Sequence, residues 1–148
     1  MKLIAYIFAA VVFISTLITP FTELLGAFSD MCKIHAAITA SSRAAIMNSE
    51  DESKAKDVEA AIDFDKFETI FKSNFCSALN LSDSYDSLDD KFNSFTVNIR
   101  RVDDNKCEIE VKTQYKYKTG LFKRFASNLP SDSGVLRVLK TEVLRIEN

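Results

Sequence analysis

Residues 3–22 read LIAYIFAAVVFISTLITPFT. All 20 positions are uncharged, and most are Ile, Val, Leu, Phe or Ala. As a helix rising about 1.5 Å per residue, the run is roughly 30 Å long, the hydrocarbon thickness of a bilayer. A core helix of this length would carry a polar face, and this one carries none. Ser15, Thr16 and Thr19 can bond back to the helix's own carbonyls. Pro20 is compatible with a membrane helix as a kink. A cleaved secretory signal would have a shorter apolar region closed by a small-x-small site; Leu24-Leu25-Gly26-Ala27 is a poor version of one. Residues 1–25 therefore read as a retained transmembrane anchor. Lys2 precedes the span, while Glu23 and Asp30 follow it. The positive-inside rule then predicts a single-pass protein of the cytoplasmic membrane, N-terminus inside and C-terminal domain outside.

The helical pattern runs on through 26–47. Phe21, Leu24, Leu25, Phe28, Met31, Cys32, His35, Ile38 and Ile46 recur at three- and four-residue steps. Small residues from Ala36 to Ala45 favour helix and permit close helix approach. A helix over 3–47 would be about 68 Å long, and its outer half needs a partner for its amphipathic stripe. Residues 48–57 (NSEDESKAKD) lack an apolar cluster and read as a linker or exposed loop that opens an extracytoplasmic α+β domain, 48–148. Phe64, Phe67, Ile70, Phe71, Phe75, Ala78 and Leu79 form the face of a second helix, with Asp63 as its N-cap. Residues 81–91 (LSDSYDSLDDK) form a polar acidic loop.

The period then changes from 3.6 to 2. Phe95, Val97 and Ile99 alternate with polar residues, Asp103 to Lys106 supply a turn, and Cys107 to Tyr117 alternate over a long half-buried strand, which makes a hairpin. Residues 119–124 leave the strand, and 135–146 form a last strand. The expected fold is α+β: a long N-terminal transmembrane and amphipathic helix, a second short helix, and a C-terminal antiparallel sheet of about three strands.

Composition excludes several functions. The three glycines are isolated, so no glycine-rich phosphate loop exists. One histidine leaves no His-pair metal site, and a net charge of −2 argues against nucleic-acid binding. No cofactor, catalytic dyad or metal-ligand set is visible. Charge is segregated: residues 48–90 carry four lysines against twelve acids, whereas 91–126 carry nine basic residues against four acids. These faces attract each other either within the domain or between subunits. His35 reads as a packing or hydrogen-bonding residue near Cys32. Asp83, Asp86, Asp89 and Asp90 lack the alternate-residue spacing of a calcium loop. Asn80-Leu81-Ser82 fits the short glycosylation triplet. The three cysteines are either reduced thiols or include an internal disulfide, for which Cys76 and Cys107 are the better pair. Glu23, at the end of the apolar run, is either interfacial and hydrated or buried and paired in an assembly. Tyr115 and Tyr117, flanked by lysines, read as core-facing by the strand alternation.

The plan of an apolar N-terminal helix, an amphipathic small-residue extension and a small sheet is that of pilins. Thr19-Pro20-Phe21 with Leu24-Leu25, the Ala40-Ser41-Ser42-Arg43-Ala44-Ala45 stretch, Val111-x-x-x-Tyr115-x-Tyr117 followed by Leu121-Phe122, and Arg145-Ile146-Glu147 carry the resemblance. The chain resembles TadE-type pseudopilins, the minor pilin-like proteins of tight-adherence and some conjugative-element clusters. It departs from a prepilin in having no glycine before Gly26 and no acid before Glu23, so no cleavage site carries over. The resemblance implies a non-enzymatic subunit of a pilus, secretion or conjugation apparatus. Its partners would be membrane lipid, other pilin-like subunits and assembly-platform proteins. An assembly interface along Glu23, Phe28, Met31, His35, Ile38 and Ser42 follows from the exposed helix stripe. The alternative is an unrelated membrane-anchored α+β scaffold or binding domain, such as an NTF2-like conjugation-channel component.

Overall fold

The computed structural model describes residues 2–49, 63–103, 106–126, 128 and 134–143. Most of the expected linker, the tip of the hairpin turn and Arg145-Ile146-Glu147 lie outside them. The elements run α1 (Lys2–Asn48), α2 (Phe64–Leu79), β1 (Phe95–Asp103), β2 (Lys106–Gln114), α3 (Gly120–Ala126) and β3 (Val135–Val143).

α1 is a single helix of 47 residues that passes through Pro20 without ending. In its apolar part Ser15 and Thr16 donate to the carbonyls of Val11 and Val12, at 2.8 and 2.5 Å, and Thr22 donates to Ile18 at 2.9 Å. The hydroxyls are thus satisfied inside the helix, and none of its most apolar stretch is buried within the protein. It is one helix long and apolar enough to cross a membrane.

From Glu23 onward α1 changes role. Ile34, Ala37, Ile38, Ser41, Ser42 and Ala45 are buried. The partner that the outer half of 26–47 needs is therefore its own domain, of whose core it forms one wall. α2 supplies the second wall. Asp63 caps it by accepting from the Asp65 and Lys66 N–H groups at 3.1 and 3.2 Å, which satisfies donors that have no partner inside the helix. Asn80 ends it in the left-handed region at φ 54°, and the Leu81 N–H returns to the Cys76 carbonyl at 2.8 Å. Phe67, Phe71 and Phe75 recur every four residues, are fully buried, and stack at 6.3 and 5.6 Å between ring centroids.

The sheet is antiparallel with order β1-β2-β3. In register, Val97, Val111 and Val138 form one row across it, and Ile99 and Ile109 lie in the next. These side chains face the helices. The opposite face carries Arg100, Glu108, Glu110 and Arg137, with Arg100 to Glu108 at 3.2 Å. β2 ends at Gln114, three residues before the expected strand end, and the chain then forms α3, a short helix absent from the sequence reading.

Of the two readings of the cysteines, the Cys76–Cys107 disulfide is not formed: both are buried free thiols. The register explains why. Phe75, beside Cys76, touches Phe95, which pairs with Thr113. Six residues of β2, about 20 Å at strand rise, separate Thr113 from Cys107, far beyond the reach of a disulfide.

Candidate functional site where the apolar helix meets the domain

Glu23 is the first charged residue after the apolar run, and it is buried. Its carboxylate accepts from the Tyr115 hydroxyl at 3.0 Å, from the Lys118 N–H at 3.0 and 3.1 Å, and from the Thr119 N–H at 2.5 Å. The Tyr115 hydroxyl also reaches the Glu23 carbonyl at 3.2 Å. Glu23 is therefore neither a hydrated interfacial acid nor an acid awaiting another subunit. Its own chain returns from more than 90 residues away to satisfy it. Burial first, and then the adjacent Glu23 carboxylate, push the Tyr115 hydroxyl well above its ordinary pKa, so it acts as a hydrogen-bond donor.

Two further residues complete the junction on the same face of α1. Asp30 is buried and pairs with Lys118 Nζ at 2.9 Å and Lys33 Nζ at 3.5 Å. At Gly26 an added Cβ would lie 2.5 Å from the Tyr115 hydroxyl. Glycine there lets the tyrosine lie against the helix backbone. Glu23, Gly26 and Asp30 sit at i, i+3 and i+7, and the buried residues Ile34, Ala37 and Ile38 continue that stripe. This spacing was the available signal, and an apolar-only periodicity search passes over it.

The expected assembly stripe divides. Ile38 and Ser42 are fully buried in the protein's own core, with Ser42 donating to the Ile38 carbonyl at 2.7 Å. They cannot face a neighbour, because α1 must cover the sheet. Phe28, Met31 and His35 are exposed and, with Cys32, line a groove of about 460 Å3 against Arg137 and Leu139 of β3. Leu139 is 53% exposed on the edge strand. A second groove, of about 590 Å3, runs along Ala36 and Ala40 toward Ala78 of α2 and is rimmed by Lys33, Lys91 and Asp89.

Tyr115 is core-facing; Tyr117 is half-buried and stacks on Phe122 of α3 at 6.0 Å. Lys116 pairs with Asp90, so part of the acidic loop meets the basic strand end inside one domain. Lys140, on the helix-facing side of β3, donates to Thr39 at 2.8 Å and pairs with Glu142 at 2.6 Å. Among the described residues no group of three His, Cys, Asp or Glu side chains is placed to hold a metal ion. No family model, curated protein or solved structure matches the chain.

Proposed function

We propose that the chain is a non-enzymatic, single-pass membrane subunit, pilin-like in plan, of an extracytoplasmic pilus, secretion or conjugation apparatus. The observation that carries this reading is the continuity of α1. One helix holds the apolar run at one end and the core of the α+β domain at the other. The Glu23, Gly26 and Asp30 contacts tie the domain to the turn of helix next to the span. An enzyme domain on an anchor needs no such shared helix, whereas a subunit that packs through its membrane segment and reports that packing to a domain does. The N-terminus lies inside, and the domain lies on the far side of the cytoplasmic membrane. Its partners are lipid, other pilin-like subunits and an assembly platform. The surface offered to them is the exposed flank Phe28, Met31, Cys32 and His35 beside the β3 edge.

Cross-linking tests the reading in cells carrying the complete native gene neighbourhood. Cysteines placed singly from Phe28 to Ala40, with native Cys32 as the first probe, should cross-link between copies or to a partner with a helical period. Membrane-fractionated protein that cross-links at none of these positions would sink the subunit reading. Protein recovered without the membrane would sink the anchor.

A further inference from the structure

We propose that α3 is an interfacial contact with the same bilayer that α1 crosses, and that its partner is the anionic headgroup layer of the phospholipids. The proposal rests on the anchor reading above and adds a second, separate membrane contact. Depth comes from a hydrogen bond. Glu23 follows directly on the uncharged run, and its carboxylate holds the N–H of Thr119, the residue before α3, at 2.5 Å. With residues 3–22 filling the hydrocarbon, α3 begins at the hydrocarbon border. The headgroup layer on each side is about 5–7 Å thick, and a helix of seven residues is about 10 Å long. A short helix fixed at that level lies within or against the headgroups.

The surface chemistry agrees. Phe122 is half-buried and stacks on Tyr117, which fixes the rotation of α3 about its axis. Successive helix residues are about 100° apart, so Leu121, Arg124 and Lys123 lie on the side turned away from Phe122. Leu121 is 56% exposed, and Lys123 and Arg124 are exposed. An exposed apolar side chain with basic ones to one side of it is the composition of an interfacial helix. Among the described residues, the acids of this region are already committed to the protein: Glu23 to Tyr115, Lys118 and Thr119, Asp30 to Lys118, and Asp90 to Lys116. They leave Lys123 at the surface with no acid in α3 to oppose it.

The chain contains no tryptophan, so single tryptophans report position cleanly. Full-length Leu121→Trp, Phe13→Trp and Met47→Trp are reconstituted into vesicles of phosphatidylcholine alone or mixed with phosphatidylglycerol, with lipids brominated near the headgroup end of the acyl chain and, for Phe13→Trp, with lipids brominated deep in the chain, because residue 13 lies at the middle of the run. The expected result is quenching and a blue-shifted emission for Leu121→Trp, stronger with phosphatidylglycerol, while Met47→Trp stays unquenched. Lys123→Glu added to Leu121→Trp should lower the docked-to-undocked ratio about fivefold or more, from the roughly 1 kcal/mol that one basic residue gains at an anionic surface. Phe13→Trp quenched with Leu121→Trp behaving like Met47→Trp overturns the α3 contact and leaves the anchor standing. Quenching equal in both lipid mixtures overturns the anionic-headgroup assignment. Phe13→Trp unquenched overturns the anchor and this proposal with it.

Discussion

Replacing Gly26 with alanine tests the junction, because two effects of opposite sign meet there. In the interior of a helix, alanine is more stable than glycine by about 0.5–1 kcal/mol. At this position the new Cβ would stand 2.5 Å from the Tyr115 hydroxyl, closer than a carbon and an oxygen can sit. That hydroxyl cannot retreat freely, since it donates to Glu23 at 3.0 Å. Moving it gives up a hydrogen bond to a charged group, about 1.5–3 kcal/mol. The hydrogen-bond loss exceeds the helix gain, so Gly26→Ala should destabilise by about 1–2 kcal/mol. In a Tyr115→Phe background the obstacle is gone. The next atoms are Lys118 Cγ at 3.4 Å and Cε at 3.7 Å, which is ordinary contact. There the same substitution should stabilise by about 0.5–1 kcal/mol. The double-mutant cycle should therefore give a coupling of about 1.5–3 kcal/mol. The assay is urea unfolding of the full chain in detergent micelles, read by pulse alkylation of the buried Cys76 and Cys107 thiols in a Cys32→Ser background. Equal stabilisation by Gly26→Ala in both backgrounds would refute the close approach of Tyr115 to the helix.

In the same assay Glu23→Ala should cost about 3 kcal/mol or more, because it leaves the Lys118 and Thr119 N–H groups and the Tyr115 hydroxyl without their acceptor; Glu23→Gln should cost less, and a loss under about 1 kcal/mol for Glu23→Ala would show that the acceptor is unimportant. Burial and then Glu142 push the Cys107 thiol up to about 11, above the ordinary value near 8.5. The protonated form is favoured on folding, so this contribution is complete below about pH 8.5 and is lost as pH rises towards 11. Thermal stability should fall over that window and fall less in Cys107→Ala; identical slopes would remove the thiol from the explanation. Phe71→Ala, in the middle of the buried stack on α2, should cost about 3–5 kcal/mol by thermal or urea unfolding, and a loss under 1 kcal/mol would mean that the stack is not the core.

The parts of the fold legible in the sequence are those where one face repeats with one period. The phenylalanines of α2 and the alternation from Phe95 to Val111 each determine an element and its buried side without reference to the rest of the chain. The α3 helix was not legible, because seven residues are too few for a period to declare itself and its position depends on Glu23, 96 residues before Thr119 in the sequence. The Cys76–Cys107 expectation failed for a related reason. Periodicity puts both thiols on core faces, but not at the same end of the core; that is decided by the antiparallel return of α2 along α1, where the Asp63 N–H meets the Ser49 carbonyl at 3.1 Å. Ile38 and Ser42 looked like a seam because an isolated helix exposes every face.

Glu23 shows why a polar junction suits this place. A domain docked on its helix through apolar contacts alone would be poorly registered next to a bilayer, since lipid tails are as apolar as leucine and would cover the same helix face equally well. A buried carboxylate behaves differently. If the domain slid by one turn, Glu23 would lose the N–H groups of Lys118 and Thr119, and Asp30 would lose Lys118; each buried group left without its partner is costly, the charged ones most of all. The stripe that α1 turns toward its domain is accordingly graded. It is polar with one glycine at positions 23, 26 and 30, and largely apolar with small residues from Ile34 to Ala45. The apolar part supplies burial, and the polar part selects the one height on the helix at which the domain can sit. That height places the start of α3 one hydrogen bond from the end of the uncharged run.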